Sequence, residues 1–169
     1  RFACCGRSIV IWDLASRTRL AKLHPFKHPG CIEWSPSTDR LAVKSTSGKL
    51  VITTVDDGAS EPIWLRRRGV EGAEIAFSAC GNFLVDCDWD GKLQVLDVRT
   101  SEVVYSESIP NAMITSLAYN QARTLFAYVV CPKPGLDYIA VRRWPFQENQ
   151  PVLLQIDWQN VECIAFSPD

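Results

Sequence analysis

Residues 73–106 read AEIAFSACGNFLVDCDWDGKLQVLDVRTSEVVYS, and the alternation within them decides the fold. Short apolar runs at 73–79, 83–87, 92–98 and 102–106 are separated by three tight turns, Cys80-Gly81-Asn82, Asp90-Gly91 and Arg99-Thr100-Ser101. Runs of about five residues rich in Val, Leu and Phe, closed by Gly or Asp, read as strands joined by hairpins, because such turns need residues that accept positive φ. Four strands joined this way form one antiparallel sheet.

Working outward, an aromatic residue followed by small or polar residues recurs four times: Trp34-Ser35-Pro36, Phe77-Ser78-Ala79, Tyr119-Asn120-Gln121 and Phe166-Ser167-Pro168. The repeat lies in the low forties of residues, which is the length that four strands of about five residues and their turns consume. Helical repeats share such periods, so residue type arbitrates. The segments Ser8 to Leu14, Lys49 to Val55, Leu93 to Val98 and Tyr138 to Trp144 are β-branched or aromatic and follow Gly-containing turns. Gly and Pro recur too often for helices of ten or more residues. The chain is therefore expected to be all-β: propeller blades of four antiparallel strands, with blades over 1–24, 25–68, 69–110 and 111–157 and the first strand of another over 158–169.

The aromatic-Ser-x-x-Gly-x-x-Leu stretch beginning at Phe77, the Asp90-Gly91 turn and the strand ending in Asp97 resemble a WD repeat. At the strand end where that family carries its Trp-Asp pair, the pair stands once, as Trp12-Asp13; Thr53-Thr54, Leu96-Asp97 and Arg142-Arg143 hold the corresponding places. Leu23-His24 is the nearest match to the family's Gly-His. The resemblance spans the whole chain and implies a propeller whose His–Ser/Thr–Trp–Asp network is incomplete. In this register the chain opens in a second strand, Arg1 to Cys5, and closes on a first strand, Glu162 to Ser167. Since a blade buries its faces only against neighbours, further blades outside this chain are expected. The alternative is a small ring in which the C-terminal strand completes the first blade.

Of the 169 residues 47% are hydrophobic and 22% charged, a globular composition, and the net charge of -1 provides no general attraction to nucleic acid or an anionic membrane. No run approaches a membrane span and no signal peptide is visible. Seven cysteines (Cys4, Cys5, Cys31, Cys80, Cys87, Cys131 and Cys163) lack paired or zinc-type spacing, and several lie in apolar runs. Buried free thiols in a reducing, cytoplasmic compartment are the expectation.

Asp86-Cys87-Asp88-Trp89-Asp90-Gly91, with Asp97 at the twelfth position, matches the opening of a calcium loop. No helix precedes it and the ninth position is Gln94, so the register favours an ordinary strand-connecting turn. The clusters Arg66-Arg67-Arg68 and Arg142-Arg143, and Lys133, have the chemistry to contact phosphates, but charges closing an outer strand more commonly guard a solvated edge. The two histidines, His24 and His28, lie between blades and outside any nucleophile motif. No catalytic residue, resident metal or cofactor is expected.

What the resemblance implies is a docking rim at the narrow end of the channel. Carried over by register, its contact positions are Trp89 and Thr46, just before the second turns, and His28, Glu71, Met113 and Asn160, each six residues before its signature aromatic. A Trp on a turn offers large contact area at low entropic cost and is enriched in binding hot spots; folding over its turn onto a neighbouring blade is the competing role. Met113, flanked by Ile114 and Leu117, is equally suited to the core. The implied function is a non-catalytic scaffold for protein or peptide partners, with a channel that houses a ligand or an active site as the alternative.

Overall fold

Each of the four strand-rich segments named above forms a strand in the computed structural model, which describes residues 1–55, 63–66, 70–72, 74–145, 150–157 and 160–168. The first sheet holds β1 (Phe2–Cys5), β2 (Ile9–Asp13) and β3 (Thr18–Leu23). The second holds β4 (Pro29–Trp34), β5 (Arg40–Ser45), β6 (Leu50–Thr54) and β7 (Ile63–Arg66). The third holds β8 (Ile75–Phe77), β9 (Phe83–Cys87), β10 (Lys92–Asp97) and β11 (Val103–Ser108), and the fourth β12 (Ala112–Tyr119), β13 (Leu125–Pro132), β14 (Tyr138–Arg143) and β15 (Val152–Gln155). All pairings are antiparallel between sequence neighbours, and no helix occurs among the described residues. These sheets are blades 1 to 4 of an all-β propeller fold.

The core is divided among the spaces between blades. Ile9, Ile11, Leu41, Val43 and Val51 fill the first, Ala42, Leu50, Ile52, Phe77, Leu84 and Leu96 the second, and Val85, Leu93, Val95, Ile114, Phe126 and Tyr128 the third. A middle strand thus buries both faces, so β5, β9 and β13 show runs of buried residues instead of strict alternation. Fully burying one such Leu or Phe is worth about 1.5–3 kcal/mol.

Polar groups also cross these spaces. Arg142, which stands where the family places its Trp, pairs with Glu107 of β11 and donates from Nε to the Tyr128 hydroxyl at 3.3 Å, joining blade 4 to blade 3. Its planar guanidinium also lies 5.8 Å from the Tyr105 ring centroid. The Asp of the Trp-Asp pair serves a local turn: Asp13 Oδ1 accepts from Ser16 N and Oγ, and Asp97 Oδ1 accepts from Arg99 N at 2.8 Å and Thr100 N at 3.0 Å. These donors hold both carboxyls below the ordinary Asp value.

The C-terminal segment has an arrangement of its own, and the expectation of buried thiols needs correction. Residues 160–168 form no strand; they hang on blade 4 through Thr115 Oγ1 to the Val161 carbonyl, Val161 N to Asp137 Oδ2 and Ile164 N to Ser116 Oγ. A strand requires a ladder partner, and no described segment pairs with this one. The thiols are not uniformly buried either: Cys87 is buried and Cys31 and Cys131 are half-buried, whereas Cys4, Cys5, Cys80 and Cys163 are exposed. These four lie on β1, on the β8–β9 turn and on the tail, outside the packed spaces between blades.

Candidate protein-interaction rim

The rim is built by one backbone pairing repeated from blade to blade. Thr46 N donates to His28 O at 3.0 Å, and Trp89 N donates to Glu71 O at 3.0 Å. In each case the turn between the second and third strands is tied to the residue leading into the first strand of the same blade. His28 and Thr46 are therefore brought together, as are Glu71 and Trp89.

In blade 4 the matching pair is Lys133 N to Asn111 O, 2.7 Å. Met113 lies two residues further along, opposite Cys131, because β12 and β13 each extend over eight residues and a count of six back from Tyr119 stops short of the rim. Asn111 (φ 55°) shares a left-handed backbone with His28 (φ 56°) and Asn160 (φ 63°), a conformation that Asn tolerates well. Asn160 precedes the Val161 amide that binds Asp137, one blade-step further round.

Trp89 stands on a turn braced from two blades. Asp88 Oδ1 accepts from Asp90 N at 3.1 Å and Lys92 N at 3.0 Å, and Ile114 N of blade 4 donates to Asp88 O at 3.2 Å. Gly91 has φ 73°, and a Cβ on it would collide with the carbonyl oxygens of Ile109 and Ala112. The turn's backbone amides all donate, yet Trp89 remains 40% exposed. With Asp90, Asn111, Ala112, Met113 and Lys133 it lines a cleft of about 370 Å³ between blades 3 and 4.

The acidic cluster here is distributed among separate tasks. Asp86 is buried against Lys44 of blade 2, Nζ–Oδ1 2.6 Å, and Lys44 also donates to the Cys87 carbonyl. Asp88 braces its turn, burial lifting its carboxyl above the ordinary value. Asp97 lies at the far end of β10, roughly 16 Å along the strand from Lys92. A calcium loop would have to gather these oxygens around one centre, and the fold spreads them apart. Of the cationic clusters, Arg142 is committed to Glu107, Arg66 closes outer strand β7, and Arg67 and Arg68 lie outside the described residues. His24 and His28 are both exposed.

A second concavity, of about 360 Å³, lies on the wall formed by the first strands, between Cys31 and Glu33 of β4, Glu74 and Ala76 at β8, and Leu117, Tyr119 and Arg123 at β12. Arg123 reaches from blade 4 to the Phe77 carbonyl of blade 3 and to Glu33 Oε1 of blade 2, at 3.0 Å from the latter. Glu74 Oε2 accepts from Ser116 Oγ at 3.2 Å and Leu117 N at 2.7 Å. Burial raises Glu33 despite its arginine partner and pushes the Cys31 thiol up to about 11. Neither this wall nor the Lys44–Asp86 pair is apparent from spacing; the available signal was an ionisable residue inside an otherwise apolar strand, as at Lys44 after Leu41-Ala42-Val43.

Among the described residues, no helix is long and apolar enough to cross a membrane. The chain is similar to human Protein NEDD1, 24% identical over 123 residues, covering 71% of this chain and 19% of that protein. The bovine Protein NEDD1 is 24% identical over 106 residues, covering 61% of this chain and 16% of that protein. The chain thus spans less than a fifth of the length of these relatives. In fold it is similar to the Myceliophteria thermophila Cps50 (Swd1) β-propeller domain, with a TM-score of 0.71 at 19% identity over 89% of this chain and 52% of that one. The family model described as the anaphase-promoting complex subunit 4 WD40 domain matches residues 32–122, more than half of the sequence, spanning blades 2 and 3 and reaching into blade 4. With radial blades, interblade cores and this match together, the chain belongs to that WD40 family.

Proposed function

We propose that this WD40 segment is a non-catalytic interaction scaffold, working in a cytoplasmic setting as part of a ring whose other blades lie outside this chain. Protein or peptide partners dock on the rim that carries His28, Thr46, Glu71, Trp89 and Asn160, with Met113 set one step inside it in the adjoining cleft. The observation that carries this reading is Trp89: a large side chain stands 40% exposed on a turn whose backbone is fully braced. A rigid mount lowers the ordering cost of binding, so exposed indole area converts efficiently into affinity. The test is capture of partners by the full-length protein, comparing wild type with Trp89→Ala and Glu71→Lys. Loss of capture with an unchanged melting temperature supports the rim; unchanged capture by both variants overturns it.

A second reading, in which the channel houses a small ligand, draws on the concavity between Glu33, Glu74 and Arg123. Its check is a thermal-shift screen of the intact protein, in which any ligand that raises the melting temperature should lose that effect in Glu74→Gln.

A further inference from the structure

Resting on the rim reading, we infer that the cleft between blades 3 and 4 takes an extended peptide segment in which a bulky apolar residue is flanked by a basic residue on one side and an acidic residue on the other. The apolar part of the cleft comes from two blades: the Trp89 indole from the β9–β10 turn and the half-buried Met113 thioether from β12. Indole and thioether make a polarizable pair that accepts Leu, Met or Phe without a fixed shape requirement.

The flanks carry opposite charges. Asp90 uses its amide, not its carboxylate, to hold the turn, and Lys133 uses its amide, not its ammonium, to bind Asn111 O. Both side chains line the same cleft without forming an ion pair with each other or with any other described residue. Each therefore keeps its charge for a partner. Asp90 belongs to blade 3 and Lys133 to blade 4, so the field changes sign across the cleft, and a segment with charges in the complementary order is favoured over one with like charges on both flanks. The Asn111 side-chain amide, which lines the same cleft, has both donor and acceptor capacity for a peptide backbone.

The experiment uses the full-length protein and an array of immobilised heptapeptides. Each has a central Leu, Met or Phe with Lys or Arg on one flank and Asp or Glu on the other, in both orders; all-acidic, all-basic and uncharged sets serve as comparisons. One mixed-charge order should be retained about fivefold better than the like-charged sets. Trp89→Ala should weaken that binding about thirtyfold. Lys133→Glu should reject the preferred peptides and accept those whose acidic flank is replaced by Lys, a swap that damage to the fold does not produce.

Equal retention of all sets, retention of none, or indifference to Lys133→Glu overturns the inference. If the array fails while Trp89→Ala still abolishes capture of protein partners, the rim stands and only this peptide class falls. If Trp89→Ala leaves partner capture intact, the rim itself falls.

Discussion

Lys44 of blade 2 and Asp86 of blade 3 form an ion pair at 2.6 Å in which each side chain is only 1% exposed. Both sit on second strands, so the pair lies inside the packed space between blades. Removing one partner strands the other charge away from water, and Lys44→Ala should cost about 3–5 kcal/mol. Replacing both, as Lys44→Met with Asp86→Leu, should recover most of that loss, because a buried pair is often no more stabilising than apolar side chains of similar volume. Urea denaturation of the two variants checks this, and a double variant no better than the single one counts against it.

Gly91 offers a backbone test. Its positive φ and the crowding by Ile109 and Ala112 carbonyls leave no room for a methyl group. Gly91→Ala should destabilise by about 2 kcal/mol or more, whereas Gly6→Ala, with nothing within 4 Å of the added carbon, should be nearly neutral. Melting temperatures of the two proteins make the comparison.

Arg123 ties three blades together at the channel wall. Because its side chain is about one-quarter exposed, solvent screening limits the loss in Arg123→Ala to about 1–2 kcal/mol. Arg123→Lys should not restore it, since one ammonium does not reproduce the two directions of the guanidinium. Equal stability of the Lys variant and wild type would show that charge alone suffices.

Asp97 gives a pH dependence of defined sign. Its carboxyl titrates below the ordinary value because Thr100 and Arg99 amides donate to the charged form. The stabilisation is therefore complete above the unfolded-state value, about pH 4, and is lost as pH falls through the lower folded value. Between pH 5 and pH 2 the wild type should lose more thermal stability than Asp97→Asn, with the two curves converging at the acid end. Parallel curves would exclude the effect.

The blades were legible because strand length, turn chemistry and repeat period agreed. Ser8 to Leu14, Lys49 to Val55, Leu93 to Val98 and Tyr138 to Trp144 each match an observed strand within about one residue at either end. What spacing did not reveal depends on two distant residues meeting: Lys44 with Asp86, Arg142 with Glu107, Arg123 with Glu33. The register of blade 4 escaped for a different reason. The first two strands of this hairpin gain residues together, which preserves the apolar pattern while moving Met113 away from the level held by Asn111. At the rim, Trp89 and its turn were recognisable from residue type, but the cleft they share with Lys133 was not.

The wedging of Gly91 beneath the strand-to-strand connection has a mechanical consequence. Blades 3 and 4 are keyed to one another at the point where Trp89 emerges, so the gap there has a set width, and whatever seats in it meets a fixed jaw instead of a hinge.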